Sequence, residues 1–536
     1  MNDEAWPEDD DAHDLSDATE PTVRADGDDA HRLSLQRGQR LAELSNEQLW
    51  LRFFGVGGDI GLFEVEAYLA GLIPLPALQR DMLAHAVNER LDELLLTSRV
   101  PYSETAHAPP PTPGPELSAL VDMLTAASTT PPDRLAALAA NAGDSLGVGV
   151  TLYLADHDQR LLVPATAGLP PHAGAHGRPA LDIDSTLAGD AFRHLQTMVS
   201  DTGEHPRLWL PLLGGTERLG VVEVELTPAA DINDGVLREQ CQNLTNLIGC
   251  LVPTTGARGD GLDAVRRRRP RTPTAELIWQ LLPPPTGGTD RFALSGWVEP
   301  ADTVGGDAFD YAVSHAHVSL AVFDATGHGL PAALMAAAAL SAYRSARRNG
   351  HGLLAQARAV DQTISSLGSN GAFVTGFLGE IDLTSGLLRY LSAGHPDALL
   401  LRSGKVMSTL TGGRRMPFGH GSLVSLDDPH PGSHDADRPL GDDLPAAPGD
   451  RPASVGEHHL QPGDWLVVHT DGVTEGRDTS GVSFGDARLV SLLEQASATG
   501  QAPPETARRL THAVLEHQGG QLQDDATVLL GCWLGH

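Results

Sequence analysis

Four aspartates constrain the fold of this chain more than any other feature of its sequence, because each stands where an apolar, strand-like run meets a tight turn. Asp307 follows Gly305-Gly306, and Asp324 follows HVSLAVF and precedes Gly327-His328-Gly329. Asp471 follows DWLVVHT and precedes Gly472, and Asp524 opens DDATVLL. Asp and Gly favour turns for local reasons, so one such pair needs no further explanation. Four at successive strand ends can converge on one rim of a sheet, where glycines let backbone or substrate approach closely. Bare carboxylates about 4 Å apart repel by roughly 4 kcal/mol per pair at an effective dielectric near 20. A domain of marginal stability does not hold such a cluster without cations. Oxygen donors without a Cys or His scaffold select Mg2+ or Mn2+ over zinc.

Around these acids the chain alternates strand-like runs with helix pairs. LPAALMAAAALSAYRSARRNG and GLLAQARAVDQTISSL read as helices, as do ARLVSLLEQASA and PPETARRLTHAVLEHQGG. Strand groups separated by helix pairs predict an α+β or layered α/β domain over 291–536. Here a family resemblance emerges. VGGD (304–307), FDATGHG (323–329), VTGFLGEID (374–382), LSAGHP (391–396), HTDGVTEGRD (469–478) and DDATVLL (524–530) occur in the order seen in SpoIIE/RsbU-like phosphatases of the metal-dependent PPM (PP2C-like) superfamily. The resemblance covers nearly the whole last unit. It implies an α-β-β-α sandwich with a dinuclear Mn2+/Mg2+ site between the sheets. By match, Asp307 and Asp324 lie at the metal pair, with Asp324 as the bridge and the Ala325 main-chain carbonyl as a backbone ligand; Asp471 and Asp524 match the remaining acids.

Two such cations about 3.5–4 Å apart activate a bridging water against phosphorus. The implied activity is hydrolysis of phosphoserine or phosphothreonine, with Asp307 and Asp324 acting through that water. Phe323 stands where the family often has glycine, and Ala325 where Val or Gly is commoner; a carbonyl ligand tolerates either. His328 is read as shaping the turn before the following helix. His395 is open to a structural or an acid role, and Asp310 to an auxiliary metal role or to one supporting the metal ligands from behind. Asp525 is read as a neighbour of the ligands. The Pro/Asp-rich stretch at 421–456 is longer than the family's usual insertion and is read as a surface loop.

The earlier part of the chain divides by composition. Residues 1–30 are rich in Asp and Glu with few large apolar side chains and are read as a disordered acidic tail. Residues 31–105 predict a small module of three helices, one capped by Ser45 with Leu49, Phe53 and Phe54 on one face. PYSETAHAPPPTPGPE reads as a proline-rich linker. Residues 116–253 hold two helices, a strand, a hairpin turning at Gly214-Gly215 and a closing helix. That segment resembles a GAF sensory domain, which would be a central α/β unit with room for a small ligand; a homodimer is left open for the chain as a whole. Cys241 and Cys250, nine apart, are read as two core thiols. Residues 254–290 read as a linker, with four consecutive arginines taken as solvated, and a switch helix at AELIWQLLP.

The expected whole is therefore a multidomain α+β protein. Its formal net charge of −33 repels nucleic acid and anionic membranes. No uninterrupted apolar run of about 18 residues predicts a membrane span. Three cysteines without a CxxC spacing fit a reducing compartment, so a cytoplasmic location is expected. By family analogy the substrate is a phosphorylated STAS-domain anti-sigma factor antagonist in sigma-factor partner switching. No kinase-type ATP motif is present, which places the opposing kinase on another chain.

Overall fold

The computed structural model describes residues 21–94, 100, 102, 114–166, 177–201, 205–227, 231–299, 305–367, 371–420 and 455–535. The insertion at 421–454, residues 1–20 and most of the proline-rich stretch lie outside the described residues. The chain divides into two compact units, 1–118 and 119–536. No helix among the described residues is long and apolar enough to cross a membrane.

Among the described residues the first unit has four helices where three were expected: α1 (Pro21–Leu41), α2 (Asn46–Gly55), α3 (Leu62–Leu69) and α4 (Ala77–Glu93). Residues 21–30, read as part of the acidic tail, are the first half of α1. A helix nucleated by a packed segment propagates at little cost per residue, and the later half of α1 is anchored by fully buried His31 and Leu35. Ser45 caps α2 in a reciprocal capping box with Gln48. Leu49 and Phe53 enter the core, but Phe54 is 62% exposed, one step off the buried stripe.

In the second unit, α5 (Pro115–Ala127) and α6 (Leu135–Ser145) precede β1 (Gly149–Ala155), β2 (Leu161–Pro164) and β3 (Leu181–Asp182). After α7 (Leu187–His194) come β4 (Met198–Ser200), β5 (Arg207–Gly214) and β6 (Glu217–Glu225), then α8 (Gly235–Gly256). The strands form one antiparallel sheet in the order β3-β2-β1-β6-β5-β4, and the β5–β6 hairpin turns at Gly215, whose φ is +64°. In α8 Cys241 packs in the core but Cys250 is exposed, so only one of the two thiols is a core residue. Nine residues are two and a half helical turns, which puts the two on opposite sides.

Next come α9 (Gly261–Arg266) and α10 (Pro273–Leu281), then β7 (Thr286–Gly288), β8 (Phe292–Glu299), β9 (Asp307–Val313) and β10 (His317–Ala325). Helices α11 (Leu330–Arg348) and α12 (Leu353–Leu367) lead to β11 (Val374–Asp382), β12 (Leu387–Ala393), β13 (Leu399–Arg402), β14 (Lys405–Thr409) and β15 (Arg414–Arg415). The chain ends with β16 (Gly456–His459), β17 (Trp465–His469), α13 (Asp471–Thr474), α14 (Asp486–Ala498), α15 (Pro503–His517) and β18 (Ala526–Trp533).

Two six-stranded sheets result, β15-β12-β11-β10-β9 with β16 on β12, and β14-β13-β17-β18-β8-β7. Strand alternation assigns their faces. On β10, Val318, Leu320 and Val322 join Leu466, Val468 and Leu529 of the other sheet in a shared core, while Ala321, Phe323 and Ala325 pack on α11 and α12. Trp465, Val467 and Leu530 face outward onto α14 and α15. The layers run helix, sheet, sheet, helix, consistent with a PP2C-like sandwich.

Candidate metal centre

The same alternation decides which acids enter the gap between the sheets. Phe309 lies in the inter-sheet core, so Asp307, two residues earlier on β9, faces the gap as well. Asp324, two beyond Val322 on β10, does likewise, and the antiparallel register sets it directly opposite Asp307. Asp310 has the other parity. It turns to the helix layer, buried, with Arg344 and Arg347 of α11 each 2.7 Å from its carboxylate oxygens. An auxiliary metal role for Asp310 is therefore replaced by an ion-paired structural one.

Asp307 is the most enclosed of the predicted acids, 2% exposed. Its Oδ2 accepts hydrogen bonds from the Thr470 hydroxyl at 2.8 Å and the Thr527 hydroxyl at 2.7 Å. Both threonines belong to the opposite sheet, and Thr470 Oγ1 also accepts from the Thr527 amide at 3.0 Å. Burial above all, then the charges of Asp324 and Asp525, push the Asp307 carboxyl well above the usual range, against the two hydroxyls. Asp324 is pushed up to about 7 by burial and by Asp471, Asp524 and Asp525. The Thr375 hydroxyl, 3.4 Å from Asp324 Oδ2, opposes that rise.

Asp471 opens α13 at the end of β17, half-buried, and Asp524 precedes β18 as the most exposed member. Glycine brings these two segments together. A Cβ on Gly472 would stand 1.9 Å from the Asp525 carbonyl oxygen, so only glycine lets the start of α13 lie against residues 524–525. The Asp524 carboxyl is raised by burial, Asp471 and Glu475, while the Asp525 amide, bonded to its Oδ1 at 2.9 Å, draws it down. Gly306 has the same function near Ala325, whose carbonyl oxygen would lie 2.7 Å from an added Cβ.

Asp525 is a neighbour of the predicted acids, as the sequence suggested, while Thr470 and Thr527 were not singled out there. Asp525 is 3% exposed, and its Oδ2 accepts from the amides of Gly306 (2.7 Å) and Asp307 (3.3 Å), tying β18 to the turn before β9. The signal was available: counting by twos from core residue Leu529 gives Thr527 and then Asp525, whereas Asp524 has the outward parity. His395 is buried; its Nδ1 lies 3.1 Å from Thr375 Oγ1, its Nε2 has no hydrogen-bond partner, and burial lowers its pKa to about 3. His328 is exposed in the turn before α11.

The acids thus lie within electrostatic reach of each other, yet among the described residues no group of three or more His, Cys, Asp or Glu is drawn closely enough to hold a metal ion as it stands. Among the described residues none of Asp307, Asp324, Asp471 and Asp524 is ion-paired to a cationic side chain. Oxygen donors gathered at one end of the gap without an ion pair, with burial raising the Asp307 and Asp324 carboxyls, fit a hard divalent cation.

Residues 314–533 match the family described as Stage II sporulation protein E (SpoIIE). Protein IcfG of Synechocystis sp. is 22% identical over 303 residues, 50% of this chain and 42% of that protein. The match therefore spans less than half the length of that relative. Among solved structures, the RsbU and RsbW domains of a Mycobacterium tuberculosis protein share 22% identity over 46% of this chain and 62% of that one, with a TM-score of 0.36. The SiaA-PP2C domain of Pseudomonas aeruginosa shares 22% over 44% and 85%, with a TM-score of 0.35. The PP2C phosphatase domain and a regulatory fragment of SpoIIE from Bacillus subtilis share 19% over 46% and 65%, also at 0.35. Over residues 314–533 this chain is therefore similar to the SpoIIE family.

Proposed function

We propose that residues 291–536 are a metal-dependent protein serine/threonine phosphatase, in which Asp307, Asp324, the Ala325 main-chain carbonyl, Asp471 and Asp524 hold two Mn2+ or Mg2+ ions. The observation that carries the reading is Asp307, a buried carboxylate without an ion pair, directly opposite Asp324 in the gap between the sheets. Cations bound there supply an activated water and neutralise charge on a phosphoryl group. The chain's own residues hold the frame. Thr470 and Thr527 fix the Asp307 carboxylate across the two sheets, and Asp525 anchors the Gly306–Asp307 backbone. Thr375, between His395 and Asp324, orients the latter carboxylate.

In this reading the substrate is a phosphorylated STAS-domain anti-anti-sigma protein, and the enzyme acts in cytoplasmic partner-switching signalling, alone or as a homodimer. A GAF-like sensor at 116–253 and the switch helix α10 regulate it. Support for the substrate is the SpoIIE-family similarity of residues 314–533. Support for the regulation is that α10 packs its buried Ile278 into the helix layer that backs β10.

The test is hydrolysis of p-nitrophenyl phosphate and of a phosphorylated STAS protein, with Mn2+ titrated and a chelator as control. Asp324→Asn and Asp471→Asn are expected to lower turnover at least about 100-fold, the scale of losing a transition-state charge stabiliser, with the circular-dichroism spectrum retained. Wild-type rates in either variant would refute the assignment. Phosphoprotein binding without turnover by the wild type would make the domain a binding module instead.

A further inference from the structure

Only half of the run of four arginines is solvated: Arg268 and Arg269 are exposed, whereas Arg266 and Arg267 are half-buried. Arg266 donates from Nε to the Ala155 carbonyl at 3.0 Å, and Arg267 is held by Asp263 and Glu276. Arg271 lies over the Trp279 ring, 3.8 Å from its centroid. Arg267 and Arg271, with Arg268 and Arg269, wall a cavity of about 410 Å3 where the β1–β2 turn of the central sheet, the arginine segment and the C-terminal sandwich meet. Lining it from the sandwich are Glu299 at the end of β8 and residues Gly520–Leu522, just before Asp524.

We propose that this cavity binds a small phosphate-bearing anion with a ring, of nucleotide size. Four guanidinium groups, of Arg267, Arg268, Arg269 and Arg271, face two carboxyls, of Asp158 and Glu299, in a chain whose net charge is −33. Arg268 and Arg269 form no ion pair among the described residues. Arg271 Nη1 is buried without a hydrogen-bond partner. A buried charged donor left unpaired costs more than the about 1–3 kcal/mol of a neutral one, and an anionic oxygen would remove that cost. Helix α10 starts at the cavity with Thr272 as its cap, and a helix N-terminus favours the same charge. Burial, with Asp158 next, pushes Glu299 up to about 7, which weakens the opposing negative charge at neutral pH.

Ring and size follow from the remaining walls. Ala275, Trp279, Leu515 and Leu522 supply an apolar side, and the volume lies in the range of small-molecule sites rather than of a lone phosphate. A phosphate offers three or more oxygens to several guanidinium groups at once, where a carboxylate offers two, which favours phosphate over a single carboxylate. A ligand there would touch the segment that carries Asp524 and, on the other side, His157 and Asp158 of the central sheet's β1–β2 turn. Binding itself does not depend on the phosphatase reading.

The experiment is calorimetric titration of the full chain, in chelator, with ADP and with pyrophosphate. ADP should bind, and more tightly than pyrophosphate. Arg268→Ala/Arg269→Ala removes two exposed side chains without ion pairs, so the fold is kept; it should weaken ADP about tenfold or more. Arg271→Lys should weaken it less than Arg271→Ala. Hydrogen exchange over 518–526 should slow on adding ADP. No ADP binding, equal affinity for pyrophosphate, or an unchanged affinity in the double variant would overturn the proposal.

Discussion

At the scale of single residues, Asp307 and Asp324 are opposite partners across two strands, held in a gap that favours their protonated forms. That gives a pH dependence with a definite sign. In the metal-free protein Asp324 keeps its proton up to about 7, whereas in the unfolded chain it ionises near 3.8. Between those values the folded state binds more protons, so raising the pH through this window lowers stability. Thermal melts in chelator from pH 4 to 7.5 should show the melting temperature falling as pH rises. Mn2+ should reverse the fall, and Asp324→Asn should make it shallower, with the part due to Asp307 remaining. A flat metal-free profile in the wild type would mean that the carboxylates do not share one gap.

At the scale of elements, the carboxylate rim exists because loops from different strands meet at glycines. Gly472 is the tightest such meeting, with the Asp525 carbonyl where its side chain would start. Gly472→Ala must push the start of α13 away from residues 524–525, and overpacking of this kind costs about 1–3 kcal/mol. We expect a modest drop in melting temperature but a much larger rise in the Mn2+ concentration needed for half-maximal hydrolysis, since Asp471 and Asp524 sit on the separated loops. Equal, small effects on both would show that the two loops need not touch for activity. Alternation along β9 and β18 made half of this rim readable beforehand. Had it been applied residue by residue, it would have moved Asp310 out of the site and Asp525 into it.

At the scale of the whole second unit, a buried polar seam joins the central sheet to the sandwich. Arg508 of α15 is fully buried; its guanidinium bonds to Glu505, to Asp184 and to the Gln159 carbonyl. Burial works against its charge, but the hydrogen bonds to Glu505 and Asp184 prevail and hold it protonated. Arg218 of β6 meets the same Glu505 at 3.0 Å and the Pro504 carbonyl at 3.0 Å. Breaking such a network by deleting one partner costs about 3–5 kcal/mol, because the remaining charges stay buried. Arg508→Ala should therefore melt at a visibly lower temperature, with proteolysis first appearing between the central sheet and the sandwich. A wild-type melting temperature would show that the seam is not closed in solution.

Local chemistry in the sequence settled much of this protein. Ser45 caps its helix, the β5–β6 hairpin turns where two glycines stand, and the apolar runs of the last 245 or so residues form strands because period-two alternation needs no tertiary partner to be recognised. The motif order from Gly305 to Asp524 likewise pointed to one family. Tertiary structure alone decided the rest. Asp525 became an anchor because β9 folds back onto β18, more than two hundred residues away. The arginine run became a cavity wall only because acids and a tryptophan from other elements pack around it. Side chains that are polar at every level of sequence analysis acquire their roles from what burial places beside them, and burial is a property of the assembled layers.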